Sequence, residues 1–344
     1  MKIVHFIMSL QTGGSETMLV DIINDQVSTN NLSLIIFNDQ INITNLSKID
    51  RRVTIYRLNR KEKSRNIIPV IKLNLLLLRI WPDAIHCHHV SAARIILIKR
   101  NLVFTAHSTN ISDKIIKTYK RVFAISETVK DDLYKSHNIR AKVIYNGIDF
   151  DKIPIKRNYD FGVFKIVQVS RLDHEIKGQH ILIKALNILI NELGILNVCI
   201  DFIGEGPSYQ YILELVMNYR LQKKVKFLGL KDRNYIYNHL QEYNLLVQPS
   251  LSEGFGLTVI EAMAAKLPVL VSDKEGPSEI VKNGKYGWLF KHADIKDCSA
   301  QIQRIIKEYD SQDFKKVIQE AYEYGRKNFS IKNTTAQYLK EYIL

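Results

Sequence analysis

The stretch Leu245-Leu246-Val247-Gln248-Pro249-Ser250-Leu251-Ser252-Glu253-Gly254-Phe255-Gly256-Leu257-Thr258-Val259-Ile260-Glu261-Ala262-Met263-Ala264 reads as a short apolar strand, a glycine-containing turn and a strongly apolar helix. A strand that is apolar throughout is buried on both faces, and helices must cover those faces, which is the pattern of a parallel sheet. The same unit recurs on either side. Phe164–Val169, Asn197–Ile203, Val225–Leu228 and Val269–Ser272 complete one series of strands, and Ile3–Met8, Leu32–Phe37, Ala84–Cys87, Leu102–Thr105 and Val122–Ile125 form an earlier one. Two series in 344 residues, a length beyond what one hydrophobic core usually serves, predict an α/β protein of two doubly wound, Rossmann-like domains. The polar segment Asp149–Asp160, containing Pro154, is the linker candidate. It sets an N-terminal domain at 1–155 and a C-terminal domain at 156–327, with a final helix around 328–344 expected to return to the first domain.

Ligands bind outside the carboxyl ends of parallel strands, so the loops there carry the chemistry. Glu253 and Glu261 stand about two and a quarter helical turns apart, which lets both carboxylates border one cleft. The backbone amides of Gly254, Phe255, Gly256, Leu257 and Thr258 lie at the helix start, where a diphosphate would be held. A buried acid needs a partner, and Glu261 falls within an apolar helix face. After Phe164–Val169 come Ser170-Arg171-Leu172-Asp173-His174-Glu175-Ile176-Lys177-Gly178, with two cations six residues apart; in isolation such residues are ordinary solvated cations. Phe202-Ile203-Gly204-Glu205-Gly206-Pro207 ends a strand in a glycine-rich turn, and Thr12-Gly13-Gly14-Ser15-Glu16 follows the first strand. The latter lacks the third glycine of the dinucleotide fingerprint, which leaves an NAD site without support.

Together these segments resemble the GT4-type family of retaining glycosyltransferases with the GT-B double-Rossmann fold, over nearly the whole chain. The resemblance implies that the second domain binds a nucleoside-diphosphate sugar in a cleft facing an acceptor-side first domain. Glu261 would hold the ribose hydroxyls and Glu253 the donor-sugar hydroxyls. Arg171 and Lys177 would stabilise the charge of the departing diphosphate in place of a metal ion. Gly204, Glu205 and Gly206 would lie near the base, Gly13 and Gly14 near phosphate and acceptor, and His107, after Leu102–Thr105, against the sugar. Ser126 and Asn146 would line the cleft in secondary positions. Ser170, where many relatives have glycine, and Ile176 depart from the family pattern without removing a charged group.

Neither a cofactor nor a metal is expected. In His86-Cys87-His88-His89, alternation along a strand leaves at most two ligands on one face. Asp149-Phe150-Asp151 matches the metal-binding Asp-x-Asp of other glycosyltransferases but enters the linker. Cys87, Cys199 and Cys298 fit no zinc or redox spacing, so a reducing, cytoplasmic setting follows. Met1–Met8 reads as a buried strand, without a cleavage site after it.

The net charge of +14 is uneven, with 23 Lys/Arg against 13 Asp/Glu in 1–155 and 26 against 22 in the remainder. An anionic partner for the first half is implied. Arg51, Arg52, Arg57, Arg60, Lys61, Lys63, Arg65, Lys72 and Arg79 surround the aliphatic runs 67–71 and 73–78, a profile of docking on an anionic membrane surface. The alternative is a core helix preceded by a solvated basic loop. The expected activity is transfer of a sugar to a hydroxyl of a glycan or lipid-linked acceptor, in bacterial polysaccharide or glycolipid synthesis. A nucleotide-sugar epimerase of the same fold is the enzymatic rival. A nucleic-acid-binding protein is the rival of another class, and no nucleic-acid motif supports it.

Overall fold

The computed structural model describes residues 1–11 and 13–343. The chain divides into two compact units, Met1–Ile148 with Phe329–Leu344, and Asp149–Asn328. The division falls at Ile148/Asp149, earlier than 155/156, because Asp149 accepts from the Asp151 amide to start a short 3-10 turn and the Lys156 amide bonds to the Ala265 carbonyl of the second unit. The supposed linker is thus the folded beginning of that unit.

The first unit contains β1 (Lys2–Ile7), β2 (Asn31–Asn38), β3 (Thr54–Arg60), β4 (Ala84–Cys87), β5 (Leu102–Ala106), β6 (Arg121–Ala124) and β7 (Lys142–Val143), in the order β3-β2-β1-β4-β5-β6-β7. All pairs are parallel. Strand order reverses between β1 and β4, the position where a doubly wound sheet opens a crevice at its carboxyl edge. The helix Ile331–Ile343 belongs to this unit: Thr334 bonds to the Tyr145 carbonyl, Thr335 to Asp25, and Tyr338 and Tyr342 are buried against the sheet.

The second unit contains β8 (Phe164–Val169), β9 (Val198–Ile203), β10 (Val225–Phe227), β11 (Leu245–Gln248), β12 (Val269–Ser272) and β13 (Trp288–Phe290), in the order β10-β9-β8-β11-β12-β13, again parallel. Its core packs Phe164, Ile166, Phe202, Leu245 and Val247 against the helical residues Ile183, Leu186, Ile302 and Ile305. Here the order reverses between β8 and β11. The two loops singled out in the sequence, after Val169 and after Gln248, leave the sheet on either side of that switch.

The basic segment also resolves into structure. Arg57 and Arg60 lie on the edge strand β3, not in a loop, and Pro69 opens the helix Ile68–Ile80. Leu73 and Leu77 enter the core, whereas Ile68, Ile71, Leu75 and Leu78 remain exposed. The helix is apolar on two faces.

Candidate active site

In the second unit the loops after β8 and β11 are joined by backbone and side chain. The amides of Leu251 and Ser252 both bond to the Ile176 carbonyl, at 2.8 and 3.2 Å. Lys177 Nζ lies 2.5 Å from Glu253 Oε2, with both side chains about one-fifth exposed. Gln248, ending β11, donates to the same carboxylate oxygen at 3.4 Å, and Gln168, near the end of β8, donates to the Lys177 carbonyl. A half-buried ion pair is therefore fixed from both sides of the switch point. Arg171 is exposed one loop position away from the sheet end.

Glu261 is buried in the helix Leu257–Ala264, and its cation is Arg233, with Nε 3.8 Å from Oε1. Arg233 also lies over the Tyr237 ring at 4.9 Å. The sequence reading missed Arg233 because it belongs to no motif; the buried acid was the signal that a cation had to come from elsewhere. Gly256 precedes the helix in the left-handed region, φ 108°, and no side chain caps the first turn. Gly254 through Thr258 thus lead from Glu253 into the helix start.

Other glycines have a packing cause. A Cβ at Gly204 would meet the Ser170 carbonyl oxygen at 2.0 Å, and one at Gly206 the Leu172 carbonyl oxygen at 2.3 Å. Gly178 presses likewise on Pro249. Small residues here let the loop after β9 seat on the loop carrying Arg171. Glu205 accepts from the Leu230 amide at 3.3 Å and is otherwise exposed.

In the first unit Gly13 caps the helix Gly14–Gln26 from an extended conformation, and the Glu16 carboxylate folds back over it, accepting from Ser15 at 2.7 Å. Thr12 of this motif lies outside the described residues. Ser126 is the buried N-cap of the helix Glu127–His137, accepting from Val129 N at 3.1 Å. Asn146 is buried, and its Oδ1 has no hydrogen-bond partner among the described residues.

His107 stands with a set of histidines that the sequence reading undercounted. Alternation sends His86 of β4 and His88, the residue just past its end, to the same side, and parallel register sets His5 of β1 beside His86, so three buried imidazoles come together there. The limit of two ligands holds along one strand only; the neighbouring strand supplies the third. The ring nitrogens of His5, His86 and His88 approach within 4.8 Å of one another, which a metal ion would also require. Their partners argue otherwise. His86 is held by the Tyr342 hydroxyl at 2.6 Å and Thr105 Oγ1 at 2.7 Å, and both nitrogens of His5 and of His88 face hydrogen-bonding groups. Every ring nitrogen of the three thus has a neighbour at hydrogen-bonding distance, and none of those neighbours is a carboxylate. Burial pushes His5 and His107 down to about 4 and His86 and His88 well below the usual range. All four are neutral at physiological pH.

Asp149 and Asp151 are engaged by cations: Lys152 at 3.4 Å from Asp149 and Arg326 at 2.7 Å from Asp151. A basic hollow of about 440 Å³, lined by Lys117, Lys120, Arg121, Arg140 and Lys142, lies at the amino end of β6. Burial pushes the thiols of Cys87 and Cys298 up, which leaves them unreactive.

Two parallel sheets, each with a reversal of strand order, define an α/β protein of the double-Rossmann type. Residues 149–326 match the model of the family described as glycosyl transferases group 1, and residues 12–152 that of glycosyltransferase family 4. The chain belongs to the group 1 glycosyl transferases. It is 30% identical over 203 residues to a glycosyltransferase of Methanocaldococcus jannaschii, covering 59% of this chain and 52% of that protein. It is 31% identical over 175 residues to the O-antigen chain mannosyltransferase RfbU of Salmonella typhimurium, covering 49% and 46%. The chain thus spans about half the length of these curated relatives. Among solved structures, Anabaena HepE in complex with UDP and glucose superposes with a TM-score of 0.80 at 22% identity, over 99% of each chain. The GT-B fold is shared.

Proposed function

We propose that this protein is a retaining, metal-independent glycosyltransferase that moves a sugar from a nucleoside-diphosphate sugar to a hydroxyl of a glycan or lipid-linked acceptor in bacterial cell-surface polysaccharide or glycolipid synthesis. The observation that carries it is the Lys177–Glu253 pair held across the β8/β11 switch. As the bond from sugar to phosphate breaks, negative charge grows on the diphosphate. Lys177 and the exposed Arg171 supply fixed positive charge for it, and the start of the helix Leu257–Ala264 adds backbone donors. Glu253, already oriented by Lys177 and Gln248, accepts from donor-sugar hydroxyls. Glu261, pre-set by Arg233, takes the ribose hydroxyls. The departing phosphate oxygen removes the acceptor proton on the face it leaves, which retains configuration. RfbU as a mannosyltransferase and HepE with UDP support a nucleotide-sugar donor.

Calorimetry against UDP, GDP and ADP, followed by NMR of the product anomer with the donor that binds, tests the reading. A bound nucleoside diphosphate and an acceptor-dependent product of unchanged anomeric configuration are expected with EDTA present. Inversion, a requirement for a divalent ion, or epimerised donor without acceptor would each sink it.

The protein also docks on anionic membranes in this reading, without crossing them. Among the described residues no helix is long and apolar enough to span a bilayer. Ile67, Ile68, Ile71, Leu75, Leu78 and Trp81 are all more than half exposed, with Lys72 and Arg79 beside them. An outward face of aliphatic and cationic residues fits a charged lipid surface better than water.

A further inference from the structure

A buried line of hydrogen bonds leads from a helix end to His107. Gln26, the last residue of the helix Gly14–Gln26, places Oε1 2.9 Å from His5 Nε2. His5 Nδ1 is 3.1 Å from His88 Nε2, and His88 Nδ1 is 3.2 Å from His107 Nε2. Gln26 and His5 are almost wholly buried and His88 nearly so. Burial holds His5 and His107 down to about 4 and His88 well below the usual histidine range, because charging a buried imidazole would cost its solvation.

A neutral imidazole has one N–H and one lone pair, so the links of this chain are not independent. The Gln26 amide oxygen only accepts. With the amide turned this way, its Nε2 buried without a hydrogen-bond partner among the described residues, His5 carries its proton on Nε2 and accepts at Nδ1. His88 must then donate from Nε2 and accept at Nδ1. His107 must donate from Nε2, which leaves its Nδ1 with a lone pair and with no hydrogen-bond partner among the described residues. A proton on the wrong nitrogen at any link sets two N–H groups or two lone pairs face to face in a buried site.

We propose that Gln26, His5 and His88 are positioning residues that lock His107 in its Nε2–H tautomer, so that Nδ1 presents its lone pair to a hydroxyl of a sugar bound at the carboxyl edge of the first sheet. The inference rests on the proposed function for its ligand, but the tautomer order is a property of the protein alone. His86 stands beside the line without joining it, held by Tyr342 and Thr105.

The test is nitrogen NMR of the full chain labelled at histidine, which assigns the protonated nitrogen of each ring without substrate. His107 is expected to carry its proton on Nε2 in the wild type. Gln26→Leu, which removes the terminal acceptor, is expected to mix the two tautomers and to lower kcat about tenfold with little change in KM. Gln26→Glu keeps an acceptor and is expected to restore the order. A wild-type His107 protonated on Nδ1 overturns the proposal, and needs no variant to fold. So does a tightly held zinc ion that shifts the His5 and His88 resonances together. Mixed tautomers in Gln26→Leu with unchanged kcat remove the positioning role. Tautomer order that follows Gln26, with no transfer from any nucleoside-diphosphate sugar, counts against the function above and not against the relay.

Discussion

The two switch points of this molecule are built from opposite electrostatics. At β8/β11 the groups are charged, paired and partly wet: Lys177 with Glu253, with Arg171 exposed nearby. At β1/β4 they are neutral and dry: His5, His86 and His88 linked to Gln26, Thr105, Tyr342 and His107. An ion pair tolerates solvent and can exchange its carboxylate for a phosphate, whereas a chain of neutral imidazoles keeps direction only while water and protons stay out. The same fold position thus supplies charge in one unit and proton order in the other.

The largest expected effect separates the two by acid. In the unfolded chain a histidine titrates near 6.5, while His5 and His107 hold off protonation until about 4 in the fold. Between those values the unfolded state binds more protons, so the stability present above pH 6.5 is lost as the pH falls. At pH 5 the loss is roughly 2 kcal/mol per histidine, and His86 and His88 add to it. The chain's two tryptophans, Trp81 and Trp288, fall one in each unit. With Trp288→Phe and Trp81→Phe proteins as separate reporters, denaturant midpoints at pH 7.5 and 5 should drop more for the first unit. Equal drops would break the comparison.

Next in size is Lys177→Ala. Removing a fixed cation that meets developing charge is expected to cost on the order of a hundredfold in kcat, with a smaller effect on donor KM, in steady-state assays. Glu261→Gln keeps the side-chain shape beside Arg233 and removes only the charge. Calorimetry is expected to show nucleoside diphosphate bound about tenfold more weakly. If Glu261→Gln slowed kcat at saturating donor as much as Lys177→Ala, the division of labour between the two acids would be wrong.

Sequence reading recovered the central strands because residues buried on both faces write continuous apolar runs, as in Leu245–Gln248 and Val269–Ser272. It missed β3, β7 and β13, all edge strands. Thr54–Arg60 alternates half-buried and exposed residues among five arginines and lysines from Arg51 to Lys61, so its pattern resembles a loop. Glu253 and Lys177 came to notice because each lies in a segment that follows a strand end, Lys177 closing the short helix His174–Lys177 after β8. His5 and Arg233 did not, since register between strands and the approach of a distant helix are written in no local spacing. Only a demand could point to them: a buried carboxylate needs a cation, and a buried imidazole needs two partners.

The smallest expected effect concerns the outward face of the first unit, and it asks whether that unit's excess charge serves a surface as well as a site. On the helix Ile68–Ile80 the buried set Leu73 and Leu77 already satisfies the core, so Ile71, Leu75 and Leu78 gain nothing from the fold by being apolar. A membrane would bury them, and each cation at its surface adds about 1 kcal/mol of attraction to anionic lipid. Arg79→Gln is therefore expected to weaken flotation with phosphatidylglycerol-containing vesicles about fivefold and to leave kcat on a soluble acceptor unchanged. Equal flotation with purely zwitterionic vesicles, or no effect of Arg79→Gln, would return the face to ordinary surface.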